Sequence, residues 1–235
     1  RAFDDPAISH YMEGVDPARD VEAILYELVF SDLEILSRRL GRLEDSFKGA
    51  RGVDRDNLEK ERALLTLLQE GLEEGVAIRD QATTKHDSRV LDGFQLLTAK
   101  PLIVIANIGE DEMSNTSSVE EVLSAVATGP QVVTVALCGK LDMELAQMGA
   151  SEEQEFRHSM EIGESGLNSI IRLSNNLIGV VTFFTANAND VRAWTITDGT
   201  PVIRAAGRVH SDFERGFIRA EVVGFEDLAR GMSIA

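Results

Sequence analysis

The chain has 235 residues, enough for one large domain or two small ones, and its 43% hydrophobic and 27% charged residues are those of an ordinary folded protein. A formal net charge of −17 and a pI near 4.6 argue against broad, electrostatically driven nucleic-acid binding, which draws on clustered Lys and Arg. One cysteine, Cys138, cannot close an internal disulfide, and no signal peptide or long uncharged apolar run is visible. The expectation is therefore a cytoplasmic protein with no membrane span and no DNA partner.

Residues 1–19 read as loop, with Asp16 as N-cap and Pro17 at the first position of a helix. Apolar residues then recur at helical spacing from Val21 through Leu25, Leu28, Ile35, Leu36, Leu40 and Leu43 to Phe47. Lys48 to Asp54 supplies a Gly-containing turn. A second helix carries Leu58, Leu64, Leu65, Leu68 and Leu72 and ends near Gly71 to Gly75. Two long amphipathic helices joined this way predict an antiparallel helical hairpin or coiled coil. Asp80 to Arg89 reads as loop and Val90 to Thr98 as a short helix.

Leu102–Ala106 and Val132–Leu137 read as strands, with a helix from Ser118 to Thr128 between them, and Ser118 and Glu121 suited to a capping box. Strand, helix, strand predicts a right-handed crossover and a parallel α/β sheet. Ser151 to Met160 and Leu167 to Leu177 read as helices. After Val180 the pattern changes to two strands, Val180–Thr185 and Val191–Ile196, a turn at Asp198-Gly199, one or two helical turns over Ile203 to Val209, and a strand over Phe217–Val223. That succession suggests a small β-grasp, ubiquitin-like module.

The stretch Lys100 to Glu110 carries the chemistry. Its strand delivers Asn107 and Glu110, three residues apart, into the loop beyond its carboxyl end, where open α/β sheets bind ligands. An Asn-x-x-acid loop there is how many P-loop GTPases read a base. The bland alternative is that Asn107 caps a strand-to-loop turn or ties adjacent loops together. The phosphate loop G-x-x-x-x-G-K-[ST] occurs nowhere in these residues.

Several separated stretches resemble the YchF type of the Obg-related P-loop NTPases, of the TRAFAC class and bearing a TGS domain. They are residues 15–20 (VDPARD), 27–34 (ELVFSDLE), 96–101 (LLTAKP), 106–111 (ANIGED), 183–186 (FFTA), 191–195 (VRAWT) and 210–222 (HSDFERGFIRAEV). The resemblance implies that 1–30 and 95–179 are the second half of a nucleotide-binding domain, that 31–94 is an inserted helical hairpin, and that 180–235 is a TGS domain lacking its last strands. It places the phosphate loop, both switches and the Mg²⁺ ligands before Arg1, so the expectation is a chain trimmed at both ends and inactive alone. It further implies a ribosome-associated regulatory ATPase/GTPase that binds and hydrolyses ATP as well as or better than GTP, with Mg²⁺. A non-enzymatic RNA- or protein-binding adaptor is the alternative.

Within that resemblance Ile108 stands where guanine-specific relatives carry Lys, and Glu110 where they carry Asp, which weakens the fit to guanine. Cys138, Gly139 and Lys140 occupy the place of the Ser-Ala-Lys loop and are expected to wall the base. No catalytic residue is named and no metal site is read: His10, His86 and His158 are dispersed. His210-Ser-Asp212 is read as shaping a turn, and the acidic run Glu70 to Glu74 as a solvated face. Arg204, Arg208, Arg215 and Arg219 form a candidate surface for RNA or a ribosomal protein, against the simpler reading of local pairs to Asp212, Glu214 and Glu221.

Overall fold

A computed structural model describes residues 1–9, 14–160, 162–187 and 190–231. They divide into two compact units, Arg1–Leu177 and Ile178–Ala235. In the first unit, α1 (Pro17–Phe47) begins as the sequence predicts: the Asp16 side chain accepts from Arg19 N at 3.1 Å, and Pro17 sits where a missing N–H costs nothing. α1 runs unbroken through residue 31 and turns into α2 (Val53–Glu73). Leu36 and Leu43 of α1 meet Leu65, Leu68 and Leu72 of α2, all at 0–1% exposure. Each such side chain contributes about 1.5–3 kcal/mol by leaving water. Arg39 spans the two helices with a forked pair to Glu61 (2.7 and 2.8 Å). The hydrogen bond to Glu61 raises the Arg39 pKa further.

The hairpin core is closed by Ile78, Leu91 and Leu96, which follow α2 in the chain. Here the structure departs from the sequence reading. α3 covers Lys85–Leu91, and residues 92–101 are irregular, with Gln95 at φ 56°. Thr84 and Asp87 start α3 with a reciprocal cap: Asp87 N donates to Thr84 Oγ1 (3.2 Å) and Thr84 N to Asp87 Oδ2 (2.7 Å). A helix over 90–98 is prevented because the amides of Leu97 and Thr98 are claimed from outside. Asp32 of α1, fully buried, accepts from Leu97 N (2.9 Å), Thr98 N (2.7 Å) and Thr98 Oγ1 (2.7 Å). Thr98 O in turn accepts from Arg79 N (3.1 Å). These bonds join α1, the exit of α2 and the entry to the sheet.

That entry leads into β1 (Leu102–Asn107), which pairs in parallel with β2 (Val132–Leu137) in register from Leu102↔Val132 to Asn107↔Leu137. The crossover helix α4 (Thr116–Val126) packs on both strands. It begins two residues before the predicted start, because a 3-10 turn over Glu110–Asn115 feeds directly into it. Ser118 is therefore inside the helix, and the predicted capping box does not form; the N-cap, Asn115, makes no side-chain cap bond. Glu120 of α4 reaches β2, its Oε1 accepting from Ala136 N at 2.8 Å. A second small core gathers Ala106, Ile108, Leu123 and Cys138, with Val21 of α1 against it. Beyond β2 come α5 (Gly139–Leu145), α6 (Ala150–Ser159) and α7 (Gly166–Leu177).

In the second unit β3 (Val180–Ala186) and β4 (Val191–Thr197) form the predicted antiparallel hairpin, and Trp194 Nε1 donates across it to Thr185 Oγ1 at 3.0 Å. Gly199, at φ 72°, makes the turn after β4. α8 (Val202–Val209), α9 (Ser211–Arg215) and α10 (Phe225–Ala229) follow. The strand predicted over Phe217–Val223 is not formed. Alternation alone makes no strand without a neighbour to bond, and among the described residues this segment has none; Ile218 and Val222 stand 91% and 84% exposed. Among the described residues no helix is long and apolar enough to cross a membrane.

Asp32→Ala is expected to destabilise the first unit by about 3 kcal/mol, because it strands two amides and a hydroxyl in a dry site. Urea unfolding followed by helical circular dichroism measures this; a loss under about 1 kcal/mol would show that water or relaxation replaces the carboxylate.

Candidate functional site

β1 and β2 end side by side, and the predicted residues meet at their carboxyl ends. Asn107 is the last residue of β1, and its Oδ1 accepts from Gly139 N, the first residue of α5, at 2.9 Å. This N–H has no partner within the helix, since a helix leaves its first amides free. The approach is close: a Cβ on residue 139 would stand 3.1 Å from Asn107 Oδ1, so glycine there keeps the contact unstrained. Glu110 opens the 3-10 turn, and its Oε1 lies 2.7 Å from Lys140 Nζ. The hydrogen bond to Glu110, helped by the charges of Glu110 and Glu144, raises the Lys140 pKa.

The structure refines the reading of the residues around these two pairs. Cys138, Gly139 and Lys140 are not a free loop but the N-cap and first turn of α5. Ile108 and Cys138 turn their side chains into the core, at 2% and 7% exposure. They can offer a ligand only their backbone groups. Ile108 N extends the strand ladder, donating to Leu137 O at 3.0 Å. Burial of Cys138 fits the plain reading of a small apolar residue.

The anchor of α5 was not visible in the sequence. Asp142 accepts from Arg157 Nη2 (2.6 Å) through Oδ1 and from Gly166 N (3.0 Å) through Oδ2. Arg157, 9% exposed, also donates to Glu153 (2.9 Å). Burial pulls the Arg157 pKa down, but its hydrogen bonds to Asp142 and Glu153 outweigh this and leave it raised. One signal was available: Glu153 and Arg157 stand four apart on a helix. An apolar trough of about 260 Å³ along β1, bordered by Val21, Ile24, Ile105 and Leu123, lies apart from the site and has none of its residues on its walls.

In the second unit, three of the four candidate arginines have local acidic partners: Arg204 with Glu214, Arg215 with Asp212 (3.7 Å) and Arg219 with Glu221 (4.0 Å). Arg208 is exposed and without an acidic partner among the described residues. His210 caps α9, its Nδ1 accepting from Asp212 N at 3.2 Å. His10 lies outside the described residues, as does the side chain of His86; His158 is exposed. Glu70, Glu73 and Glu74 are exposed on α2 and just past it.

Comparison with known proteins finds relatives along the whole chain. A family model for the C-terminal part of YchF GTPases, described as a protein of unknown function (DUF933), matches residues 180–235. The ribosome-binding ATPase YchF of Bacillus subtilis (strain 168) is 38% identical over 100% of this chain and 64% of its own length. Over its whole length the chain is similar to the YchF family. The YchF proteins of Haemophilus ducreyi and Escherichia coli O157:H7, also named ribosome-binding ATPases, are 36% and 35% identical, each over 97% of this chain and 61% of the relative. The solved YchF GTPase of Schizosaccharomyces pombe is 27% identical, with a TM-score of 0.77 over 92% of this chain and 58% of that one. The chain thus spans about three-fifths of the length of these YchF relatives.

Asn107→Ala is expected to speed hydrogen exchange at the Gly139 amide roughly tenfold and to cost about 1 kcal/mol, the usual net worth of one such bond. Amide exchange followed by NMR reads this directly. Unchanged protection at Gly139 would mean that another acceptor holds that amide.

Proposed function

We propose that this chain is the base-reading part of a nucleotide hydrolase that works with the ribosome in the cytoplasm. The observation that supports it best is the meeting of Asn107, Glu110, Gly139 and Lys140 at the carboxyl ends of two parallel strands. The names of the relatives, ribosome-binding ATPase and GTPase, support ATP or GTP as the ligand and the ribosome, through its RNA or its proteins, as the partner. In this reading residues 1–30 and 95–179 belong to the nucleotide domain, 31–94 to an inserted hairpin, and 180–235 to a TGS-type β-grasp module. Because α1 is continuous across residue 31, that first division is one of packing partners and not of a chain break.

The chain's own residues have defined tasks here. Asn107, with Oδ1 engaged by Gly139, presents its Nδ2 hydrogens to an acceptor nitrogen of a base. Asp142 and Arg157 fix α5 and so fix Gly139 and Lys140. Ile108 and Cys138 seal the floor with buried side chains. Phosphoryl transfer runs on positioning and charge stabilisation around the phosphates and Mg²⁺. No G-x-x-x-x-G-K-[ST] loop is present in these residues, and among the described ones no group of three or more His, Cys, Asp and Glu is gathered as a metal ion would need. We assign the phosphate and Mg²⁺ contacts to no residue of this chain.

The test is binding of fluorescent ATP and GTP to the full gene product and to its Asn107→Ala variant. A five- to tenfold loss is expected, about the worth of one hydrogen bond to a base. Equal affinity in both proteins would sink the base-site assignment. Co-sedimentation with purified ribosomes tests the partner independently, and the Asn107→Ala variant is expected to pellet as the parent does in the absence of nucleotide.

A further inference from the structure

We propose that the groove between α1, the end of α2 and the end of α4 is a docking site for a basic protein segment that carries a large apolar side chain. This narrows the ribosome reading above to protein, and rests on that reading only for where the segment comes from. The groove is a hollow of about 470 Å³ whose floor is Leu25, Val29 and Leu33 of α1, Leu72 of α2 and Val126 of α4. Tyr26 and Phe30 border it from α1, four residues apart and each 63% exposed. Two large aromatic side chains left in water beside an apolar hollow gain by being covered, and aromatic anchors of this kind carry much of the energy of protein interfaces.

Charge decides what covers them. Glu22 of α1 and Glu73 of α2 line the same groove, both exposed, and neither has a basic partner among the described residues. The stretches that supply the walls carry no Lys or Arg at all: none occurs from Asp20 to Ser37, from Ala63 to Ile78 or from Pro101 to Gly139. They add Glu27, Glu70 and Glu74 as further exposed carboxylates. Farther along the hairpin the balance differs, with Arg38 paired to Glu34, Arg39 to Glu61 and Arg55 to Glu59. Arg79, the cation that follows α2, has a side chain only 5% exposed and gives its Nη1 to Thr98 O and Lys100 O at 3.2 Å each, so the rim stays negative. Such a rim repels the phosphates of RNA. It also repels a second copy of this chain, whose formal charge is −17. A partner apolar throughout would cover the rim carboxylates with no counter-charge. An apolar anchor flanked by Lys or Arg meets both requirements, filling the hollow and placing cations where the rim has none.

The probe is a short fluorescent Lys-rich peptide with two Leu residues four apart, titrated into the full gene product and followed by anisotropy. Binding is expected to be at least tenfold tighter than that of the same peptide with Ser in place of both Leu, and to weaken as salt is added. Tyr26→Ala combined with Phe30→Ala is expected to lose at least tenfold; both side chains are exposed, so the fold is kept. Glu22→Gln combined with Glu73→Gln is expected to lose about fivefold and to flatten the salt dependence. Phe213→Ala, which removes an aromatic side chain 58% exposed in the second unit, leaves binding unchanged. Equal binding of the Leu and Ser peptides, or equal binding by the parent and the Tyr26→Ala/Phe30→Ala protein, overturns the groove. A labelled RNA oligonucleotide whose binding that double variant abolishes overturns it too, by making RNA the occupant. Co-sedimentation separates this inference from the reading it narrows. The double variant is expected to pellet with ribosomes less than the parent does, and equal pelleting overturns the ribosome as source of the segment. If the parent itself stays in the supernatant, the ribosome reading fails and the peptide titration alone judges the groove.

Discussion

The arrangement hangs on one buried carboxylate. Asp32 lies on the inner face of α1, completely removed from water, and among the described residues its carboxylate is met by two amides and a hydroxyl from residues 97 and 98. A buried charge is tolerated only when its lone pairs are occupied, so α1 and the segment before β1 must arrive together. Thr98 extends the constraint by accepting from the backbone of Arg79. The exit of the helical hairpin and the start of the sheet are thereby set by the same few atoms. Two of the stretches that carry the family resemblance, residues 27–34 and 96–101, contain the two sides of this contact, which gives their joint presence a physical cause.

The candidate site is held from two sides. β1 brings Asn107 and, just beyond, Glu110; α5 brings Gly139 and Lys140 and is itself fixed by Asp142 against Arg157 and Gly166. Satisfaction of the polar groups among themselves leaves a remainder for a ligand: the Asn107 amide hydrogens, the second lone pair of its Oδ1, two ammonium hydrogens and the unused lone pairs of the Glu110 carboxylate. That remainder is a statement about chemistry, not about volume, because the apolar trough along β1 is elsewhere.

Local grammar made much of the fold legible. Asp16-Pro17 announced α1, the apolar runs announced β1 and β2, and Asp198-Gly199 announced the turn after β4. The juxtaposition of Asn107 and Glu110 with residues 138–140 also followed from the crossover, since parallel strands end together. What could not be read were the long-range bonds. Asp32 looks like any polar residue on a helix, and its partners lie 65 and 66 residues away. The helix predicted over 90–98 failed for that reason, since its amides were needed by Asp32. The helix that Thr84 and Asp87 start shows no helical stripe, because the residues around its first turn are polar. Phe217–Val223 has the alternation of a strand, but alternation reports a preference while a strand is a property of two chains.

The unbroken course of α1 has a mechanical consequence. At 31 residues it is about 46 Å long, with Val21 near one end packed beneath the strand that carries Asn107 and Leu43 near the other inside the hairpin. A helix without an internal proline curves smoothly and does not hinge, so its two ends move together. A tilt of about 5° at its base would sweep the far end through roughly 4 Å, on the length just given. Displacements too small to notice beside the sheet would arrive at the hairpin's tip as movements the size of a side chain.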